Sequence, residues 1–146
     1  MPVVATRCSG PTANRAVIER QVEQVFNRGN IDLIDELMSS DMVMHDATPA
    51  ITPNRDGYKQ LVRNHRSAFS DFHCRNEAMV AEGDMVVNRW SWSDTHDKGP
   101  YMGIAPTGRP VTMTGISMRR FEDGRIVEQW HRVDMRGLMK QLGVAP

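Results

Sequence analysis

Residues 109–133, RPVTMTGISMRRFEDGRIVEQWHRV, read as two long strands joined by a tight turn. Asp123–Gly124 is the hairpin signal, because both residue types tolerate the left-handed backbone that a two-residue loop demands. On either side, Arg109 to Phe121 and Arg125 to Val133 have strand character. Working outward, Phe72 to Ala81, Met85 to Ser93 and Tyr101 to Ile104 read as further strands. They are separated by Glu82–Gly83–Asp84, Asp97–Lys98–Gly99–Pro100 and Pro106–Thr107–Gly108, all turn-forming runs.

Upstream, the period changes from two to nearly four. Ile18, Val22, Val25 and Phe26 predict a helix over Ala13 to Arg28, stopped at Gly29. Asn30 caps a short second helix, Ile31 to Met38, and Met42 to Asp46 reads as a short strand. A third helix, Asp56 to Phe69, carries Tyr58, Leu61, Val62, His65 and Phe69 on one stripe. Met135 to Leu142 is a closing helix, for which Asp134 is the expected N-cap. Helices first and an antiparallel sheet afterwards define an α+β layer architecture. Residues 1–12 read as a flexible tail and 13–146 as one domain.

Eighteen basic and eighteen acidic side chains cancel over 146 residues, so no field draws in a nucleic acid. Nothing resembles the apolar core of a signal peptide or an 18-residue membrane span. Cys8 and Cys74 stand far apart, which suits a reducing cytoplasm. The expected protein is cytoplasmic, with no membrane or nucleic-acid partner.

The chain has no GxGxxG, GxxxxGK[ST] or GxSxG run, and its five histidines form no HxH or HExxH spacing. Neither a metal nor an organic cofactor is therefore expected. Acid–base chemistry remains, and histidine suits it near neutral pH. His131 is the leading candidate, on a strand face with Val127, Gln129 and Val133; Ile126, Glu128, Trp130 and Arg132 share the other face. His65, on a helix's core side, reads either as a hydrogen-bonded core residue or as part of a cavity wall. His45 precedes a loop containing Pro49 and Pro53. Trp90 and Trp92 share a strand face and wall a pocket or bury an interface. Arg119–Arg120 bind an acidic substrate or pair with a carboxylate such as Glu128 across the ladder.

Specific runs carry a family resemblance: Phe69–Ser70–Asp71–Phe72, Ala81–Glu82–Gly83–Asp84, Arg89–Trp90, Thr95–His96, and Gly103 through Pro110. Gly115 and the block from Arg120 through Glu128, with Trp130, Asp134 and Gln141–Leu142–Gly143, complete it. Over roughly Ala16 to Gly143 the chain resembles the SnoaL-like polyketide cyclases of the nuclear-transport-factor-like superfamily. That resemblance implies a cone-shaped α+β barrel: a strongly curved antiparallel sheet, wrapped by N-terminal helices, around a deep apolar pocket. It further implies a homodimer or homotetramer, and an intramolecular aldol closure of a polyketide ester without metal or Schiff base.

The family's catalytic aspartate falls on His131, its accessory histidine on Ser117, and a pocket asparagine near Met44 or His45. The resulting expectation is a cofactor-independent acid–base enzyme acting on a hydrophobic, carbonyl-containing small molecule. The reaction is an aldol-type cyclisation or a related dehydration, isomerisation or hydrolysis. His131 is catalytic with His45 and His65 as partners across the pocket, and Trp90, Ser117 and Gln129 shape the site. The alternative is a non-catalytic binding or assembly module of the same fold.

Overall fold

The Asp123–Gly124 turn forms as its residues require: φ is 49° at Asp123 and 74° at Gly124. That pair of positive angles matches the right-handed twist of the strands it joins. In the computed structural model, which describes residues 8–144, β4 (Pro110–Glu122) and β5 (Arg125–Val133) are antiparallel partners at the heart of a five-stranded sheet. β2 (His73–Glu82) and β3 (Met85–Thr95) join in a second antiparallel hairpin, and β3 pairs with β4 over its whole length. The expected tail falls mostly on residues 1–7, outside the described residues; α1 (Pro11–Arg20) begins at Pro11. Proline suits a first helical turn because its missing N–H has no intrahelical acceptor there.

The strand order is β1-β5-β4-β3-β2. β1 (Met38–Met44) lies parallel to β5, so the sheet is mixed rather than wholly antiparallel, and it is open, with β1 and β2 as its edges. The parallel pair also corrects two boundaries. The short helix α2 (Ile34–Leu37) stops at Leu37, because Met38 is already paired with Ile126. Tyr101 to Ile104 is no strand: these two residues bridge each other across a tight turn, with Met102 and Gly103 at φ 51° and 77°.

The helices cover one face of the sheet. α1 continues into a π-helical stretch, Gln21–Asn27, in place of one uniform helix. Asn27 ends it against the sheet edge: its amide donates to the Cys74 carbonyl at 2.9 Å and accepts from the Cys74 N–H at 2.7 Å. α3 (Arg55–Ala68) is capped by Asn54, whose side chain accepts from the Gly57 N–H at 2.9 Å. α4 (Met135–Gln141) is capped by Asp134, accepting from the Gly137 N–H at 2.9 Å. Among the described residues, no helix is long and apolar enough to cross a membrane.

Two apolar clusters fill the space between helices and sheet. One joins Ile18, Val25, Ile34, Met42, Val62, Val86, Phe121 and Ile126. The other is aromatic, built on Phe69, Phe72, Trp92 and Tyr101 with Val111, Met113 and Leu138.

Candidate active site

Strict alternation along β4 buries Val111, Met113, Gly115, Ser117, Arg119 and Phe121, leaving Thr112, Thr114, Ile116 and Met118 exposed. β5 keeps the same phase only after a bulge. Arg120 faces Glu128 while Phe121 faces Ile126, so Val127 is the extra residue. Ile126 is consequently fully buried, not on the outer face as unbroken alternation expects. Past the bulge, Gln129 is buried, and its alternation partner His131 lies directly opposite Ser117.

The result is a tile of four side chains on the interior face: Ser117 opposite His131, and Arg119 opposite Gln129. Trp90 lies alongside, donating from Nε1 to Ser117 Oγ at 2.8 Å. Its indole runs over Gly115, where any Cβ would collide with the Trp90 Cζ2 atom. His131 and Trp90 are half-buried, while Ser117, Gln129 and Arg119 are buried, so burial deepens across the tile.

His131 Nδ1 is buried without a hydrogen-bond partner. Desolvation pushes the imidazole below its ordinary pKa; Asp46 opposes that shift and the Arg119 and Arg132 cations add to it. The ring is thus held neutral at pH 7, with a nitrogen unspent. Its backbone is fixed by Asp46, whose Oδ2 accepts from the His131 N–H at 2.9 Å and whose Oδ1 pairs with Arg132 at 2.6 Å. The Arg132 contact, first, holds the Asp46 carboxyl below the usual range.

His45 and His65 do not join it. His45 follows inward-facing Met44 and therefore points outward. There its Nε2 meets Glu128 Oε2 at 2.8 Å, and its ring stacks on Trp130 at 4.7 Å and 10°. His65 faces inward but is fully engaged: Nδ1 donates to the Leu61 carbonyl at 2.8 Å, and Tyr101 Oη donates to Nε2 at 3.2 Å. Phe72, Trp92 and Tyr101 pack edge-on around it, and burial pushes its pKa down. It is a neutral core histidine. The two tryptophans also part: Trp92 is buried in the aromatic cluster, and Trp90 alone reaches the tile.

Two concavities of about 300 and 310 Å³ lie away from the tile. One is an outer-face groove beside His45, Arg120 and Glu128, and the other lies beside Asn27, Arg66 and Lys98. Among the described residues, no three His, Cys, Asp or Glu side chains stand together as a metal site.

A family model described as SnoaL-like polyketide cyclase matches residues 16–142. The chain belongs to that family. No curated protein matches it. Among solved structures, TsrD from Streptomyces laurentii superposes with a TM-score of 0.84 at 25% identity, over 94% of this chain and 99% of that one. IdmH, a putative polyketide cyclase from Streptomyces antibioticus, is 32% identical over 90% and 99% of the two chains, with a TM-score of 0.76. AclR, a putative hydroxylase from Streptomyces galilaeus, gives 0.79 at 29% identity, over 94% and 100%.

This SnoaL-like chain holds one site residue that the sequence signals only as half of a pair and one that it does not signal at all. Arg119 reads in the sequence only together with Arg120, as an ion-pairing or acid-binding couple, although the period-two run from Val111 to Phe121 separates the two onto opposite faces. Asp46 carries no comparable signal, because its contact with the His131 backbone spans 85 residues of sequence.

Proposed function

We propose that this SnoaL-like protein is a cofactor-independent acid–base enzyme of cyclase type, acting on a hydrophobic small molecule with an enolisable carbonyl. The observation that carries the reading is the buried, unpartnered Nδ1 of His131 on the interior face. A neutral imidazole there takes an α-proton: the C–H bond breaks, an N–H bond forms, and the electron pair moves onto the carbonyl oxygen. The enolate carbon then attacks a second carbonyl of the same molecule, and the new alkoxide recovers the proton from the imidazolium. Ser117, already accepting from Trp90, keeps its hydroxyl hydrogen for a substrate oxygen. Family membership and the likeness to IdmH support a cyclase-like role. The reading includes a cytoplasmic homodimer or homotetramer.

The test is solvent-deuterium incorporation at the α-carbon of aromatic ketones and β-keto esters, with 2-acetonaphthone as the low-background member. His131→Ala should lower exchange by about 10²–10⁴, the usual share of a general acid or base, while far-UV circular dichroism stays unchanged. Wild-type exchange in that variant removes His131 from the chemistry. Tight binding of the same ketones with no exchange in the wild type makes the protein a binding module instead.

A further inference from the structure

Arg119 is 5% exposed, and among the described residues no carboxylate lies within ion-pair distance of it. Its partners are neutral: Nε donates to Gln129 Oε1 at 3.0 Å and Nη1 to Asn88 Oδ1 at 2.8 Å. The guanidinium also lies beside the Tyr58 phenol, which is buried and accepts from Gln21 Nε2 at 2.6 Å. Tyr58 and Cys74, the titratable groups that face it from α3 and β2, are both pushed up to about 12 by burial and carry no charge. Arginine stays protonated even where desolvation lowers its pKa. The core therefore contains a fixed, uncompensated positive charge.

Such a charge is costly, and a hydrophobic side chain of similar volume at the same place would avoid the cost. The guanidinium has five N–H donors; the bonds to Gln129 and Asn88 engage two, and even with the Tyr58 phenol beside it donors remain for something else. It stands diagonal to His131 on the tile, two residues along β4 from the Ser117 that His131 opposes. Diagonal neighbours on a sheet face are about 7–8 Å apart at their backbones, within the reach of one small molecule.

We infer that Arg119 is an anion-binding group at the buried end of this tile, holding a negatively charged oxygen of the ligand. That oxygen is either a carboxylate the substrate brings or the enolate formed when His131 takes its proton. The inference rests on the interior tile being the ligand site, as proposed above, but binding at Arg119 requires no turnover.

Two naphthalene probes test it on the wild-type protein: 2-naphthoate and its neutral methyl ester, titrated by tryptophan fluorescence. The charged probe is expected to bind at least tenfold more tightly. Arg119→Met should abolish that preference and Arg119→Lys should retain most of it. His131→Ala should leave it intact, which separates this inference from the acid–base reading. A second arm follows deuterium exchange of 2-acetonaphthone in Arg119→Met. Exchange lost together with the naphthoate preference assigns the enolate; exchange kept while the preference is lost assigns a substrate carboxylate. Equal binding of the two probes to the wild type, or a preference that survives Arg119→Met, overturns the inference. Should both Arg119 variants fail to fold, Gln129→Glu, which sets a carboxylate against the Arg119 guanidinium, takes their place: loss of the preference supports the inference and its survival overturns it.

Discussion

Arg119 and Arg120 are consecutive residues on one strand, and the sheet sends them to opposite fates. Arg120 points outward, where Glu128 at 2.6 Å and Glu122 at 2.7 Å neutralise it and His45, just past the end of β1, completes the cluster. Arg119 points into the core and faces Gln129, the amide counterpart of the glutamate that its neighbour faces. Electrostatics alone would place these partners the other way round, since a carboxylate gains little beside an exposed cation and much beside a buried one. A fold that spends its carboxylates on the wet face and leaves the dry one cationic has kept the interior charge available.

The sharpest way to break that contrast is to give the inner arginine what the outer one has. Gln129→Glu places a carboxylate against the Arg119 guanidinium. Any preference of the site for an anionic probe should then fall tenfold or more, while the thermal midpoint holds or rises. Glu128→Gln makes the mirror-image change on the outer face and should leave probe binding unaltered. The contrast between the faces collapses if Gln129→Glu retains the anion preference, or if Glu128→Gln removes it.

The contrast also shows where sequence is a sufficient guide. The Asp123–Gly124 hairpin, the Asp134 cap and the β4 alternation are local, and a few adjacent side chains dictate each of them. What sequence leaves open depends on distant partners. The parallel pairing of Met38 with Ile126 turns the end of a predicted helix into a strand, and the Val127 bulge reverses the face of Ile126. His45 looks like a partner for His131 until the β1 register turns it outward to Glu128 and Trp130. His65 lies on the expected stripe, yet only the packing of Tyr101 shows that both of its ring nitrogens are spent.

Gly115 offers a second, smaller perturbation, confined to the interior face. A methyl group there would strike the Trp90 indole and stand 2.8 Å from the Arg132 carbonyl oxygen. Gly115→Ala should therefore cost about 1–3 kcal/mol, the range for overpacking a filled site. It should also displace the indole, break its bond to Ser117 and shift Trp90 emission. An unchanged emission spectrum and full stability would mean that Trp90 is not held in place by that contact.

The gentlest probe of the two faces is proton concentration, because they titrate in different ranges. Inside, burial lowers the pKa values of His131 and His65, so each binds fewer protons in the folded state than in the unfolded chain. Their contribution to stability is present above the unfolded imidazole value of about 6.5 and is lost as pH falls below it. Outside, Glu128 is held low first by Arg120 and then by His45, so its contribution survives until pH falls through the carboxylate range near 4. The thermal midpoint should decline in two stages on acidification, with the interior histidines responsible for the first. His65→Phe fills the aromatic cluster without a titrating group and should flatten that first stage, while lowering the plateau by about 1 kcal/mol for the lost Tyr101 hydrogen bond. A first stage of undiminished slope in that variant would leave His131 as its source, and would make the candidate base the group whose protonation the fold tolerates least.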